Sequence, residues 1–421
     1  MSNVRLGDVA TLITKGTTPT TVGGRFASHG INFVKSESIA GSKYLNSDIF
    51  EKIDEETDSK LKRSRLKKGD LLFSIAGAYL AKVAIVRGSD VPANTNQAVG
   101  IVRLKHDIVD KDYAYYFYSQ RSITAYINKL SSQSSQPNLN LDLLGRLPFD
   151  LKAYVDQQKI AAVLSALDAK IDCNKRINAD LEAMAKTLYD YWFVQFDFPD
   201  ANGKPYKFSG GRMVYNAILK REIPASWTDG TLNDLGQIVG GSTPSTKKPD
   251  NFTAKGTPWI TPNDLSDNQG NKFITRGAQD VSQEGIKDAS LKKYPAGTVL
   301  LSSRAPIGYM AIARAELTTN QGFKSFIPCN GYSSEFIYYT VMNSLKAITQ
   351  YASGSTFKEV SGAVLKTVKI TRPERSVVES FTKRVEPFFR RQDLLEQENQ
   401  QLTQLRDWLL PMLMNGQVTV A

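Results

Sequence analysis

Apolar residues recur at alternating intervals of four and three along two long stretches of this chain. In the first they are Ile160, Leu164, Leu167, Ile171, Leu181 and Leu188, with Asn174, Asn178 and Ala185 on the same register. In the second they are Phe381, Val385, Phe388, Leu395, Leu402 and Leu409, with Gln392, Asn399 and Arg406 between them. This heptad spacing predicts two long amphipathic helices. Alone, each would leave an apolar stripe in water; paired antiparallel, the two cover one another. Separate hairpins or surface helices are the competing arrangement. Polar residues near the middle of both seams cost stability and serve to fix register and orientation. Pro411 is expected to end the second helix apart from a last turn.

Away from these stretches the periodicity shortens. Ile31–Lys35, Asp70–Ile75 and Val83–Arg87 read as short strands, and Asp112–Leu130 carries aromatic residues at helical spacing. The order then repeats. Pro258–Thr261, Gly297–Ser302 and Met310–Arg314 are the matching strands, and Phe336–Ile348 is the matching helix. Local wording repeats as well: Leu6–Pro19 returns as Leu232–Pro244, Thr95-Asn96-Gln97 as Thr319-Asn320-Gln321, and Tyr115-Tyr116 as Tyr338-Tyr339. A period this long exceeds any solenoid unit. The expectation is an α+β body followed by a long helix, present twice. The boundaries fall at 1–150 and 226–372 for the bodies, with helices in 151–194 and 373–421. Residues 195–225 are broken by Pro199, Asn202-Gly203, Pro205, Gly210-Gly211 and Pro224, as in a linker or partner-docking strap. Phe193, Phe196, Phe198 and Phe208 are candidates to cover the paired helices.

Charge sharpens the picture. The chain of 421 residues has a formal charge of +11. Residues 1–150 carry 20 basic side chains against 15 acidic, and residues 226–372 carry 16 against 11, whereas the helical stretches are nearly neutral. Two separated basic bodies suit a polyanion such as double-stranded DNA, although solubility alone also accounts for an excess of this size. Cys173 and Cys329 have no metal-ligand spacing, and His29 and His106 are the only histidines. That argues for a reducing compartment and against a histidine-based metal site or triad. No apolar run reaches 18 residues and the first residues form no signal stretch, so a cytoplasmic location without membrane contact is expected.

The order of these parts resembles the DNA-specificity subunit of type I restriction-modification systems. The resemblance is carried by LGDVATLITKGTTP, by Gly69-Asp70-Leu71-Leu72 and Asn96-Gln97, by QQKIAAVLSAL at 157–167 and by TLYDYWFVQFDFP at 187–199. In the second half Ser302–Gly308 (SSRAPIG) and Asn320-Gln321 take the same parts. It extends over essentially the whole chain. It implies two target-recognition domains, each reading half of a split sequence, separated by a long intramolecular antiparallel two-helix coiled coil. It also implies two methyltransferase subunits and restriction or translocase subunits as partners. S-adenosylmethionine, ATP and Mg would belong to those partners, with no cofactor or metal bound by this chain. A helix of about 38 residues is roughly 57 Å long. Bodies about 50–57 Å apart would suit half-sites roughly 15–17 base pairs apart, before any bending of the DNA.

Base reading in the major groove needs Arg or Lys toward guanine and Asn or Gln toward adenine, whereas hydroxyls and amides suffice for phosphates. Gly16, Thr17, Thr18 and Gly241, Ser242, Thr243 are candidate loops of the second kind, followed by Lys247 and Lys248. The same words also make an ordinary turn. Asn96, Gln97, Asn320 and Gln321 either read bases or brace the scaffold, and their presence in both halves favours bracing. Lys35, Arg63, Arg65, Lys82 and Arg121, with Lys62 and Lys67, are the basic candidates of the first body. Arg304, Lys324, Lys346 and Lys358 are those of the second. Arg304 is the stronger candidate because the first body has Ala76 there. Tyr115, Tyr116, Tyr338 and Tyr339 read as core.

Catalytic motifs are scarce. The chain has neither a Gly-x-x-x-x-Gly-Lys-Ser/Thr phosphate loop nor an Asn-Pro-Pro-Tyr-like motif. A targeting component is therefore expected, ahead of a self-contained methyltransferase-nuclease or an adaptor that touches no nucleic acid.

Overall fold

The computed structural model of the chain describes residues 2–39, 41–78, 80–131, 138–304, 306–350 and 359–420. It divides into two compact units, 1–171 with 401–421, and 172–400. Each contains one α+β body together with part of both long helices.

In the first unit, Ser2–Arg5 and Pro148–Leu151 pair antiparallel and close the body on itself. One sheet runs Ala10–Lys15, Val99–Leu104, Leu71–Ser74, Val83–Ile85; the other runs Phe26–Ala27, Glu51–Ile53, Ile31–Val34, Ala93–Thr95. The strands expected at 31–35, 70–75 and 83–87 all form, each slightly shorter than its apolar run. Leu71 and Phe73 face one core while Leu72 faces another, as period-two alternation between two buried faces requires. The aromatic stretch is two helices, Lys111–Ser119 and Arg121–Ser131. Gln120 breaks it with an extended backbone (φ −62°, ψ 138°) and donates its side-chain amide to the Phe117 carbonyl at 3.1 Å.

The second unit repeats the topology. Gly236–Gly240, Lys324–Pro328, Val299–Leu301 and Met310–Ala313 form one sheet, extended by Phe273–Ile274. Phe252–Thr253, Gln279–Val281, Thr257–Ile260 and Thr318–Thr319 form the other. Thr228–Thr231 with Lys369–Arg372 repeats the closing pair. Here the aromatic helix, Ser334–Gln350, is continuous. The polar loops expected at 131–138 and 353–357 lie largely or wholly outside the described residues.

The central helix is Tyr154–Tyr189, followed by a wider π turn at Asp190–Val194; the C-terminal helix is Arg375–Met414. The latter passes through both Pro387 and Pro411 and ends a turn beyond Pro411. The expected antiparallel pairing is present in each unit. In the first, Ile160, Ala161 and Leu164 share a core with Leu413 and Met414, and Arg406 binds Asp168 at 2.8 Å. In the second, Asn174 donates to Asn399 at 3.0 Å, Gln392 donates to the Asn178 carbonyl at 3.1 Å, and Phe381 and Val385 are buried. Ile171 and Leu395 are buried, while Leu167, Leu181, Leu188, Phe388, Leu402 and Leu409 are half-buried. Phe389 rather than Phe388 is the deeper of that pair.

The strap differs from expectation. Phe193 lies between the C-terminal helix, 5.1 Å from Phe381, and Trp227 of the second body at 5.9 Å, while Phe196 and Phe198 turn to Trp227 (5.4 and 4.9 Å). Phe208 covers nothing and is 86% exposed. The reason is Trp227, a large apolar surface within chain reach that the flat edge of a helix pair cannot match. No helix among the described residues is long and apolar enough to cross a membrane.

The seam yields a direct test. Leu164 is fully buried between the first body and the C-terminal helix. Leu164→Ala removes that packing and leaves a cavity, so a loss of about 2–5 kcal/mol is expected in urea unfolding followed by helical circular dichroism. An exposed substitution such as Met184→Ala should stay near the parent.

Candidate nucleic-acid interface

Both bodies build the same small device. After the first sheet strand the chain turns at Gly16-Thr17-Thr18, and Gly16 N–H donates to the Val99 carbonyl while Thr17 N–H donates to Thr95 O at 3.0 Å. In the second body Ser242 N–H donates to Thr319 O at 3.1 Å. A Cβ on Gly16 would sit 2.1 Å from Thr95 O, and one on Gly241 would sit 2.0 Å from Thr319 O. Glycine is needed in both places for this close approach of two backbones, which no side chain tolerates. The turn proline is then buried in each, at Pro19 and Pro244.

The side chains follow the same plan. Thr18 Oγ1 donates to Gln97 Oε1, and Thr243 Oγ1 donates to Gln321 Oε1. Asn96 Oδ1 accepts from Ala98 N at 3.1 Å, and Asn320 Oδ1 accepts from Gly322 N at 2.8 Å. Each asparagine is thus used in closing its own turn. Each glutamine stands exposed, with its side-chain carbonyl oxygen held by threonine. In the second body Trp259 Nε1 donates to Ser242 O at 3.1 Å, and Tyr294 OH donates to Gly240 O at 2.7 Å.

The basic candidates separate into those at this device and those elsewhere. Arg63 is exposed and reaches Thr17 Oγ1 at 3.3 Å, placing a cation beside the first loop. Lys247 is exposed after the second loop, and Lys248 beside it binds Asp288 at 2.6 Å. Asp288 also accepts from Ser245 N and Asn251, and with Lys248 foremost these contacts hold its carboxyl below the usual range. Arg304 and Lys324 converge on Glu359, at 3.0 and 3.9 Å. Burial draws the Lys324 ammonium below its ordinary range, and a Cβ on Gly240 would lie 3.7 Å from its Nζ. Arg65 is paired with Asp58 at 2.5 Å, and Lys35 with Glu51 while lying 5.2 Å from the Phe26 ring. Lys62, in the same helical turn as Arg63, is exposed, as are Lys67, Lys82, Arg121 and Lys346. Lys358 lies outside the described residues.

The position of Arg304 has a counterpart. Arg304 bridges Glu359 across antiparallel backbone where Ala76 bridges Asn138 in the first body. One body has an ion pair at this crossing and the other has none. Among the described residues no group of three or more His, Cys, Asp or Glu is placed to hold a metal.

Other residues stand out only in three dimensions. Gln157, fully buried at the start of the central helix, donates to the Ile108 and Lys152 carbonyls and accepts from Asp110 N, all at 2.9 Å. Lys43 and Lys272 are buried lysines in matching turns, Gly41-Ser42-Lys43-Tyr44 and Gly270-Asn271-Lys272-Phe273. Their signal was the repeated Gly-x-Lys-aromatic word, hidden because lysine is ordinarily a surface residue.

A family model described as the type I restriction modification DNA specificity domain matches residues 1–183 and 224–404. The HindI specificity subunit of Haemophilus influenzae is 25% identical, over 92% of this chain and 94% of its own length. The MjaIX specificity subunit of Methanocaldococcus jannaschii is 44% identical over 36% of this chain, and that match spans 35% of the relative. The crystal structure of a type I restriction-modification S subunit from M. genitalium has a like fold, with a TM-score of 0.58 at 15% identity over 98% of this chain and 95% of that one.

The close approach at the glycines is testable. Gly241→Ala forces the two backbones apart, and the second unit should lose about 1–3 kcal/mol in urea unfolding. Gly88→Ala, where the added Cβ meets only Lys68 Cδ at 3.6 Å, should leave stability within experimental scatter.

Proposed function

Because the chain belongs to the type I restriction-modification DNA specificity family, we propose that it is the non-catalytic reader of a split sequence in double-stranded DNA. In this reading the first body binds one half-site and the second body the other. Two methyltransferase subunits and the restriction or translocase subunits assemble on it. Those partners hold S-adenosylmethionine, ATP and Mg, and the assembly works in the cytoplasm.

The observation that carries the reading is the repeated loop device, Gly16-Thr17-Thr18 against Thr95-Asn96-Gln97 and Gly241-Ser242-Thr243 against Thr319-Asn320-Gln321. Each presents an exposed glutamine amide beside threonine, with Arg63 or Lys247 nearby. An amide group and a cation at a loop tip suit a phosphate or a base acceptor. Asn96 and Asn320 support the loop, and Gln97, Gln321, Arg63, Lys247 and Arg304 make the contacts. Lys35, Arg65, Lys82, Arg121, Lys248, Lys324, Lys346 and Lys358 supply field rather than base reading. Salt-dependent binding follows from that field.

The strap at 195–225 offers exposed Phe208, Tyr215 and Ile218 around the hairpin Met213–Asn216 with Arg221–Pro224. Apolar side chains standing free on a polar hairpin fit a protein partner better than DNA. We assign them to a methyltransferase subunit.

Two experiments test this. Residues 1–150 are exchanged for the matching segment of another family member, and genomes from cells that also express the methyltransferase partner are sequenced for methylated bases. One half of the methylated sequence should change and the other persist; two unchanged halves would sink the assignment. Separately, Phe208→Ser with Tyr215→Ser should weaken co-purification with the methyltransferase subunit by about tenfold or more, the loss of two aromatic anchors, while binding of the isolated chain to DNA stays as before.

A further inference from the structure

We propose that Lys43 and Lys272 are positioning residues, each locking its recognition body onto the helix pair of its own unit and so fixing the angle at which that body meets DNA. The inference rests on the split-site reading above.

The two lysines sit at one structural position. The glycine two residues before each has a positive φ, +82° at Gly41 and +91° at Gly270. The lysine carbonyl accepts from a strand amide in the same way, Ile85 N to Lys43 O at 2.9 Å and Ile312 N to Lys272 O at 2.8 Å. The aromatic that follows lies under an arginine in both bodies, Arg87 over Tyr44 and Arg314 over Phe273, each at 5.6 Å. Both copies therefore aim an ammonium inward from the same turn geometry. The side chains are only 8% and 4% exposed.

Both ammonium groups end on a long helix. Lys43 Nζ donates to Ser165 Oγ of the central helix at 2.7 Å and pairs with Asp112 of its own body at 2.9 Å. Lys272 Nζ pairs with Glu182 of the central helix and donates to Gln392 Oε1 of the C-terminal helix at 2.9 Å and to Tyr339 OH at 3.0 Å. The Phe389 ring centroid is 3.7 Å away. The second tyrosine of each repeated pair completes the lock: Tyr116 OH donates to Asp168 and Tyr339 OH to Glu182, both on the central helix. On the C-terminal helix Glu396 accepts from the Lys272 and Phe273 amides at 2.7 and 3.1 Å and from Arg314 at 2.7 Å.

Such a cluster is poorly explained as a source of stability. Apolar residues of like volume would hold the same surfaces together as well or better. What they would not supply is one permitted geometry, since a buried ammonium tolerates only the arrangement that satisfies it.

The test uses the full chain in complex with its methyltransferase partner. The substrates are duplexes with the natural half-sites and a spacer of natural length, or one base pair shorter or longer. Lys272→Met with Glu182→Leu removes both charges together and keeps apolar packing. The ratio of methylation at the natural spacer to that at the altered ones should fall by about tenfold, with the preferred half-site sequences unchanged. Tyr339→Phe, which loses one hydroxyl bond and keeps the ring, should shift the ratio the same way by a smaller factor, and it reports even where the double variant does not fold. An unchanged ratio, including one accompanied by uniformly lower activity or melting temperature, overturns the lock. An unsubstituted complex that methylates no split duplex overturns the DNA-reading role itself.

Discussion

The structure depends on how two long amphipathic helices cover their apolar stripes. A stripe of leucine, isoleucine and phenylalanine running several turns cannot remain in water, and the body of each unit covers only part of it, Ile160 and Leu164 in the first and Phe381, Val385 and Phe389 in the second. Antiparallel pairing provides the cover, but an unbroken apolar seam would slide. The seam here is interrupted where sliding must be stopped, by Asn174 against Asn399, by Gln392 against the Asn178 carbonyl, and by Arg406 against Asp168. Each of these contacts exists in one register only. Burying them sacrifices some stability in exchange for a single alignment, which is what a scaffold for two readers requires.

Duplication extends that logic from the helices to the bodies. The glycine-to-carbonyl approach, the threonine-to-glutamine bond, the arginine over an aromatic and the inward lysine all occur twice. Variation is confined to what surrounds them. The aromatic helix is broken at Gln120 in one body and continuous in the other, and Ala76 with Asn138 stands where Arg304 meets Glu359. A framework held by backbone contacts lets its loops diverge without losing the fold.

The parts most legible in the sequence were those governed by periodicity. Heptad spacing located both helices, and every short apolar run became a strand because such runs are buried on two faces. The loop device was legible as repeated words, although its use of Asn96 and Asn320 as braces required the positions of Ala98 and Gly322. Hidden from the sequence were contacts made across long separations by residue types usually found outside. Lys272 meets Glu182 and Gln392 from far along the chain, and pattern alone gives no reason to bury a lysine. The strap differs for a related reason: four phenylalanines look interchangeable, yet Trp227 meets Phe193, Phe196 and Phe198 and leaves Phe208 in solvent.

The two lysine sites also show how one geometry accommodates different chemistry. Lys43 leans on a serine hydroxyl and a carboxylate of its own body, so its charge is balanced before it reaches the helix. Lys272 takes its counter-charge from the helix itself, through Glu182. Burial then draws the Lys272 ammonium below its ordinary range and pushes Glu396 up to about 7, against the pull of two amides and Arg314. Glu182, Glu396, Asp393 and Arg314 crowd around the second turn, while Asp112, Asp168 and Arg406 surround the first. The second body is therefore held by charges that need their helical partners, and the first by a turn whose charge is already satisfied. Separating a body from its helices would strand the Lys272 ammonium in the second unit, whereas in the first it would break the Lys43–Ser165 and Tyr116–Asp168 hydrogen bonds and leave Lys43 paired with Asp112. An identical backbone position thus carries unequal electrostatic weight, and the inequality comes from which element supplies the carboxylate.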